Sequence, residues 1–253
     1  DVYDANNINP LYGFFVARAG LGASESMRSK LAEYNDPRLS RAFITKQGAS
    51  GKEQAPGTAD NAVYAPNGTP EQGTSKYGTS LFMYSISAPT LLLSYHELKF
   101  LEAEALCRLE RDAKSALKDA VVAGLLNAEN SFTISRKELG KTLINAASSI
   151  TEAEAESYFD NTIEAKYTAE PLKTTMTQKY FALWGASGEA TESYNDVRRM
   201  KGLGENFIEL KNPNSFPLRC PYGNSDTTTN AEVKAAYGNG QYVYSENVWW
   251  AGG

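Results

Sequence analysis

The chain has 253 residues, enough for a sizeable core in one large or two ordinary domains. Its 25 basic and 30 acidic side chains give a formal net charge of -5, which argues against nucleic acid as the main partner, because phosphate neutralisation needs a basic face. No apolar run approaches the roughly 20 residues of a membrane-spanning helix. The single histidine, His96, excludes histidine-rich zinc or iron sites.

The opening, DVYDANNINP, has neither an initiator Met nor a signal peptide and reads as mid-protein, so a processed product or a fragment is expected. LYGFFVARAG is a short apolar run. SESMRSKLAEY predicts a helix from Ser24 or Ser26, with Met27, Leu31 and Tyr34 on one face and a stop at Pro37. Residues 47–80 are rich in Gly, Pro, Ser, Thr and Asn and read as a long irregular loop carrying Tyr64 and Tyr77. Ser80 to Ile86 is a strand candidate. Over 81–127 comes the clearest segment. Ser94 and Glu97 form a capping box, and Leu98, Leu101, Ala105 and Leu109 keep helical spacing. Asp112 opens a second helix. Its Ala113, Leu117 and Ala120 form a small-residue stripe that lets two antiparallel helices approach, a tetratricopeptide-like arrangement with Gly124 as its exit.

Thr151 and Glu154 predict another capped helix. Pro171 suits the first turn of the next, with Met176, Tyr180, Leu183 and Trp184 as its buried stripe. Gly185 and Gly188 end it, and a shorter helix carries Tyr194 to Met200. From Gly202 onward the chain is loop-rich and aromatic. The fold class is mainly α: a tetratricopeptide-like helix pair plus further helices, long loops and a small β element.

Few residues have the spacing of a catalytic device. His96 falls in the first turn of a capped helix, where the helix dipole disfavours a cation, so it reads as an ordinary helix residue and not a general base. SRKELGKT, Ser135 to Thr142, ends like a phosphate-binding loop. It has Ser135 where the first glycine belongs and a helix-favouring interior. Glycoside hydrolysis needs only two carboxylates at the right distance, and 30 acidic residues leave that open without singling out a pair. Cys107 and Cys220 lack metal-ligand spacing, and a bridge between them is left open. No catalytic residue, metal or cofactor is expected.

Aromatic residues in polar loops carry the main binding signal. Tyr64, Tyr77, Tyr242 and Tyr244 present an apolar face with a polar handle, suited to stacking on sugar rings or gripping peptide side chains. Trp249 and Trp250 could do the same but read better as anchors of the chain end in the core. The pattern Tyr-Asn-Asp-x-Arg occurs twice, in EYNDPRLSR (Glu33 to Arg41) and ESYNDVRRMKGLG (Glu192 to Gly204). Asp196 can pair with Arg199 at i+3, while Arg198 points elsewhere and could bridge to another element. Gly202 or Gly204 closes the helix. Asp36, Arg38, Asp196, Arg198 and Arg199 therefore read as structural landmarks and not as an anion site.

Together these segments resemble the SusD/RagB family of outer-membrane nutrient-binding lipoproteins. YNDPRLSRAF is similar to the family's asparagine-aspartate-proline-arginine landmark. MYSISAPTLLLSYHELKFLEAEALCRL resembles its strand-then-helix segment. TQKYFALWGASGEATESYNDVRRMKG resembles its Gln-Lys helix and aspartate-x-arginine-arginine turn, although relatives often place threonine and proline after the arginines. LRCPYGNSDTTTNAEV and the terminal NVWW resemble its closing segment. The match runs over residues 34–250, about the C-terminal half of a typical member. The resemblance implies a non-enzymatic protein that captures oligosaccharides or peptides at the cell surface, over a SusC-like TonB-dependent transporter. It also implies a lipid anchor to the outer membrane, on a cysteine in the missing N-terminal half. It implies no cofactor and carries over no ligand contact. A paired-carboxylate hydrolase and a helical-repeat adaptor are the alternatives.

Overall fold

In this computed structural model the described residues are 6–18, 21–47, 52–54, 64–68, 77–140, 143–144, 148–211 and 215–252. They fall into two units, Asp1–Leu210 and Lys211–Gly253. The first unit starts with helices α1 (Pro10–Arg18) and α2 (Glu25–Glu33), a 3-10 turn (Pro37–Ser40) and strands β1 (Phe43–Gln47), β2 (Lys52–Gln54) and β3 (Thr79–Ser80). A 3-10 turn (Leu81–Tyr84) leads to α3 (Tyr95–Arg108), α4 (Lys114–Leu139) and β4 (Leu143–Ile144). Then come α5 (Glu152–Tyr158), a π-helical turn (Phe159–Ile163), α6 (Glu164–Ala169), α7 (Pro171–Leu183) and α8 (Glu192–Gly202).

Local hydrogen bonds explain where the helices begin. Ser24 Oγ accepts the Met27 N–H at 3.3 Å, Ser94 Oγ the Glu97 N–H at 3.1 Å, and Thr151 Oγ1 the Glu154 N–H at 3.2 Å. The backbone N–H of Ser94 donates to Glu189, so the second half of that capping box comes from a distant element.

Several boundaries differ from the sequence-based expectation. The apolar run near residue 11 is helix α1, and Pro37 opens a 3-10 turn after α2 ends. The strand expected over 80–86 stops at Ser80. There the Ser80 Oγ accepts the Phe82 N–H at 3.3 Å and the Ser85 hydroxyl donates to the Phe82 carbonyl at 2.7 Å, which curls the chain into a turn. Helix α4 does not exit at Gly124 but runs to Leu139. A Cβ on Gly124 would lie 2.9 Å from the Cβ of Ala182, so this glycine lets α4 and α7 approach closely.

Helices α3 and α4 form an antiparallel pair, with Lys99 facing Asp119 at 3.4 Å. Phe100, Leu117, Phe132, Phe159 and Phe181 are fully buried around it, and each contributes about 1.5–3 kcal/mol by burial. Helix α7 is buried on almost every side from Thr174 to Lys179, beyond the stripe expected of it. Thr175 and Thr177 satisfy their hydroxyls on the carbonyls of Pro171 and Lys173, at 2.9 and 2.8 Å. A line of rings then crosses the unit. Centroid separations are 4.8 Å for Phe132–Phe82, 5.1 Å for Phe82–Trp184, 5.2 Å for Trp184–Phe43 and 5.3 Å for Phe43–Tyr64.

The small sheet has the order β3-β1-β2-β4, with β1 antiparallel to both neighbours and β2 parallel to β4. Of the expected 47–80 loop, Gln47 at the end of β1, β2, residues 64–68 and residues 77–80 are described, and the remainder lies outside the described residues. Ala65 is tied to the start of α2, donating to the Ala23 carbonyl at 2.8 Å and accepting the Glu25 N–H at 3.0 Å.

The second unit contains α9 (Asn224–Thr229), α10 (Ala231–Tyr237) and a 3-10 turn (Trp249–Ala251). Tyr222 and Tyr237 stack at 4.3 Å, and the Arg219 guanidinium lies 4.6 Å from the Tyr222 ring centre. Both cysteines are free thiols, Cys107 half-buried and Cys220 exposed.

Candidate functional site

The two Tyr-Asn-Asp-x-Arg segments build two different ion-pair nodes. In the first, Asn35 adopts φ +49° where α2 ends, a conformation asparagine tolerates better than most residues. Asp36 then accepts the Arg38 backbone N–H at 2.9 Å, its Nε at 2.8 Å and its Nη2 at 2.6 Å. Arg38 Nη1 donates to the Phe181 carbonyl at 2.7 Å, joining this turn to the end of α7. The Asp36 and Arg38 side chains are 0% and 3% exposed. The Tyr158 hydroxyl lies 3.4 Å from Asp36, and burial, reinforced by that carboxylate, pushes its pKa well above the ordinary phenol value. Beside the node Arg41 holds Glu154 through two bonds of 2.8 and 2.9 Å, at the edge of a cleft of about 490 Å³.

The second node ties α8 to α3 and α7. Asp196 accepts Arg199 and Lys179, each at 2.8 Å. Arg199 extends to Glu104 on α3 through bonds of 2.5 and 2.8 Å, and Arg108 Nε reaches the same carboxylate at 2.7 Å. Arg108 also grips Glu205 at 2.8 and 2.9 Å. Gly204, at φ +77°, places Glu205 there by closing α8. Its N–H bonds the Lys201 carbonyl at 3.1 Å and the Glu205 N–H bonds that of Met200 at 2.8 Å. Burial alone would raise the Glu104 pKa, but the two arginines outweigh it and hold the carboxyl below its usual range. Arg108 does the same to Glu205.

Among the described residues Arg198 does not bridge to another element. It lies exposed along its own helix, with Nη1 3.3 Å from the Tyr194 hydroxyl and its guanidinium 5.6 Å from the Tyr194 ring centre. Residues 196 and 199 face α3 and α7, so 194 and 198 turn outward, and the bridging arginine is Arg199.

A cavity of about 530 Å³ opens between α3, α7 and α8, lined in part by Glu97, Leu101, Glu104, Lys179 and Asp196. Burial, then the hydrogen bond and charge of Glu189, push the Glu97 carboxyl up to about 7. His96 is buried, and desolvation lowers its imidazole pKa so that it stays neutral. Its Nε2 lies 3.5 Å from Glu189 Oε2. Sequence spacing carries the Glu104–Arg108 contact at i+4. Lys179 and Glu189 have no such local signal and were missed.

The aromatic candidates separate by burial. Tyr64, in the first unit, is half-buried, edge-on to Phe43, with the Arg28 guanidinium 5.4 Å from its ring centre. Tyr77, expected to project from the long loop, is only 8% exposed and sits in the interior. In the second unit Tyr242 is half-buried and Tyr244 is 50% exposed. Trp249 and Trp250 do not anchor the chain end in a core. They are 80% and 70% exposed and pack edge-to-face on each other at 5.5 Å. The reason is the size of the unit: among its described residues only Thr227 and Gly240 are buried, so no interior exists to take two indoles.

The SusD-like family, described as starch-binding and associating with the outer membrane, matches residues 2–222. A SusD/RagB family protein from Bacteroides thetaiotaomicron is similar over 100% of this chain and 54% of that chain, at 64% identity and a TM-score of 0.88. A SusD homologue from Bacteroides fragilis is similar over 97% and 55% of the two chains, at 19% identity and a TM-score of 0.62. A Bacteroides vulgatus protein, named as a candidate outer-membrane protein for nutrient binding, is similar over 88% and 50%, at 22% identity and a TM-score of 0.57. The last two share the fold. No curated protein matches. The chain spans about half the length of the solved relatives it matches. On the family match, the shared helical architecture and the 64% identity, the chain belongs to the SusD-like family.

Proposed function

We propose that this chain is part of a cell-surface nutrient-binding lipoprotein, which captures an oligosaccharide or peptide for a SusC-like TonB-dependent transporter in the outer membrane. One observation supports this reading above the rest. The second unit exposes Tyr244, Trp249 and Trp250, and the two indoles, at 80% and 70%, are the most exposed rings among the described residues. Exposed rings of this kind suit the apolar faces of sugars and the side chains of peptides. Tyr64 and Tyr242 are secondary candidates, each with part of its ring accessible.

The acidic side chains favour binding over hydrolysis. Glu104 and Asp196 are neutralised by Arg108, Arg199 and Lys179. Burial and the neighbouring Glu189 raise the Glu97 pKa. The test is calorimetric titration with maltoheptaose, with a peptide panel alongside and reducing ends counted in the same samples. Saturable binding to a glycan or a peptide without new reducing ends is expected. Liberated reducing ends, or no binding to any member of either panel, would overturn the reading.

A further inference from the structure

The cavity of about 530 Å³ between α3, α7 and α8 is lined by the acids Glu97, Glu104, Glu192 and Asp196 and by the bases Arg108, Lys179 and Arg199. All of these bases are already engaged. Arg199 holds Glu104 and Asp196, and Arg108 holds Glu104 and Glu205. Lys179, its side chain 3% exposed, reaches Asp196 at 2.8 Å. Among the described residues no cation forms an ion pair with Glu97 or Glu192. Local structure explains why Glu97 is left over. It stands three residues after the N-cap Ser94, whose Oγ accepts the Glu97 N–H at 3.1 Å. In a capping box its carboxylate would reach back to the Ser94 N–H. Glu189, from the turn before α8, occupies that N–H instead. The Glu97 side chain lines the cavity, in a residue only 6% exposed. The second oxygen of Glu189 is buried as well and meets no donor.

We propose that this cavity binds the primary ammonium group of a lysine side chain, with Glu97 and Glu192 as its acceptors and Leu101 and Ala105 against its alkyl chain. Leu101 and Ala105 follow Glu97 at i+4 and i+8 on the same side of α3, and both are exposed, so the wall beside the carboxyl is apolar. Glu192, half-buried on α8, has the Asn195 amide at 3.3 Å from one oxygen and its other oxygen open to a donor. An ammonium carries three donors, enough for both carboxylates. The lining holds one more acid than base, so a single positive charge balances it. A divalent metal fits less well, because among the described residues no cluster of three or more potential ligands exists. His96 does not supply the charge, since burial keeps its imidazole neutral. Burial, Glu189 and Glu192 outweigh the pull of Lys179 and raise the Glu97 carboxyl to about 7, as expected of an acid that lacks a cation. The site lies in the first unit and uses none of the aromatic residues assigned to ligand capture, so the two readings stand or fall separately.

Calorimetric titration with Nα-acetyl-lysine methylamide at about pH 8, above the Glu97 midpoint, tests the site. Saturable binding to the wild-type chain is expected. The Nε-acetylated form keeps the alkyl chain and loses the charge, so it should bind at least about tenfold more weakly. Glu97→Gln, nearly isosteric, should lose about the same tenfold factor, while Arg198→Ala, on the outward side of α8, should leave binding unchanged. No saturable binding of the lysine derivative, equal affinity for its acetylated form, or undiminished affinity in Glu97→Gln would overturn the proposal. Should Glu97→Gln fail to fold, a carbon-13 titration of the Glu97 carboxyl in the wild type decides. Saturating lysine derivative should lower its midpoint from about 7, and an unmoved midpoint excludes the site.

Discussion

Asp36→Ala is the substitution whose cost is most directly set by the structure. It removes three bonds from Arg38, to the backbone N–H, Nε and Nη2, and leaves a guanidinium 3% exposed. The Phe181 carbonyl would remain as its one partner in the node. Stranding a buried charge in this way costs about 3–5 kcal/mol. For a unit of this size each kcal/mol lowers the melting temperature by about 2–4 °C, so thermal unfolding should shift by about 6–20 °C. Asp36→Asn should recover about 1 kcal/mol, because asparagine caps the 3-10 turn as well as aspartate while lacking the charge. Combining Asp36→Ala with Arg38→Met removes the stranded charge, and the double variant should be more stable than Asp36→Ala alone. A shift below about 2 °C for Asp36→Ala would place the pair among exposed ion pairs and refute this reasoning. So would simple additivity in the double variant.

Other consequences are open to the same kind of measurement. Gly185→Ala puts a Cβ 2.3 Å from the Phe82 ring at φ +79°, whereas Gly204→Ala, at φ +77°, meets nothing within 4 Å. Gly204→Ala should cost about 1–2 kcal/mol from backbone strain alone, and Gly185→Ala clearly more. Equal denaturation midpoints would contradict the packing described. Arg198→Ala should change stability by no more than about 0.5 kcal/mol, while Arg199→Ala should cost about 1–3 kcal/mol through its bonds to partly buried Glu104. The opposite ranking in urea unfolding would reverse their assignment. Glu104 and Glu205 have depressed folded pKa values, so their contribution is present above about pH 4.5 and is lost as pH falls further. Glu97 has a raised value, so the folded state binds more protons and its effect is a loss of stability as pH rises from about 4.5 to about 7. Denaturant titrations should therefore show Glu104→Gln flattening the acid limb and Glu97→Gln flattening the neutral one.

Where structure follows from neighbours in sequence, it was legible. Ser24, Ser94 and Thr151 cap helices because a hydroxyl reaches an N–H three residues on, and Asp196 meets Arg199 across one helical turn. The order of four motifs along the chain carried the family. Features fixed by distant partners were not legible. Gly124 looks like a helix exit until Ala182 is seen against it. Residues 81–84 have a strand-like composition, yet two serines close a turn around Phe82. The Ser94–Glu189 contact joins segments with no periodic relation, and Arg198 and Arg199 differ only in which side of α8 each occupies. Trp249 and Trp250 read as core residues because tryptophan is generally buried. Their exposure follows from the small interior of the second unit, which residue type does not reveal.

Calorimetric titration of the Trp249→Ala/Trp250→Ala double variant tests ligand capture on the exposed aromatic residues. Each indole should contribute about 0.5–1.5 kcal/mol or more to a stacked ligand. At least about a fivefold loss of affinity is expected for whichever glycan or peptide the wild type binds, with the melting temperature unchanged. Undiminished affinity in a normally folded double variant would contradict it.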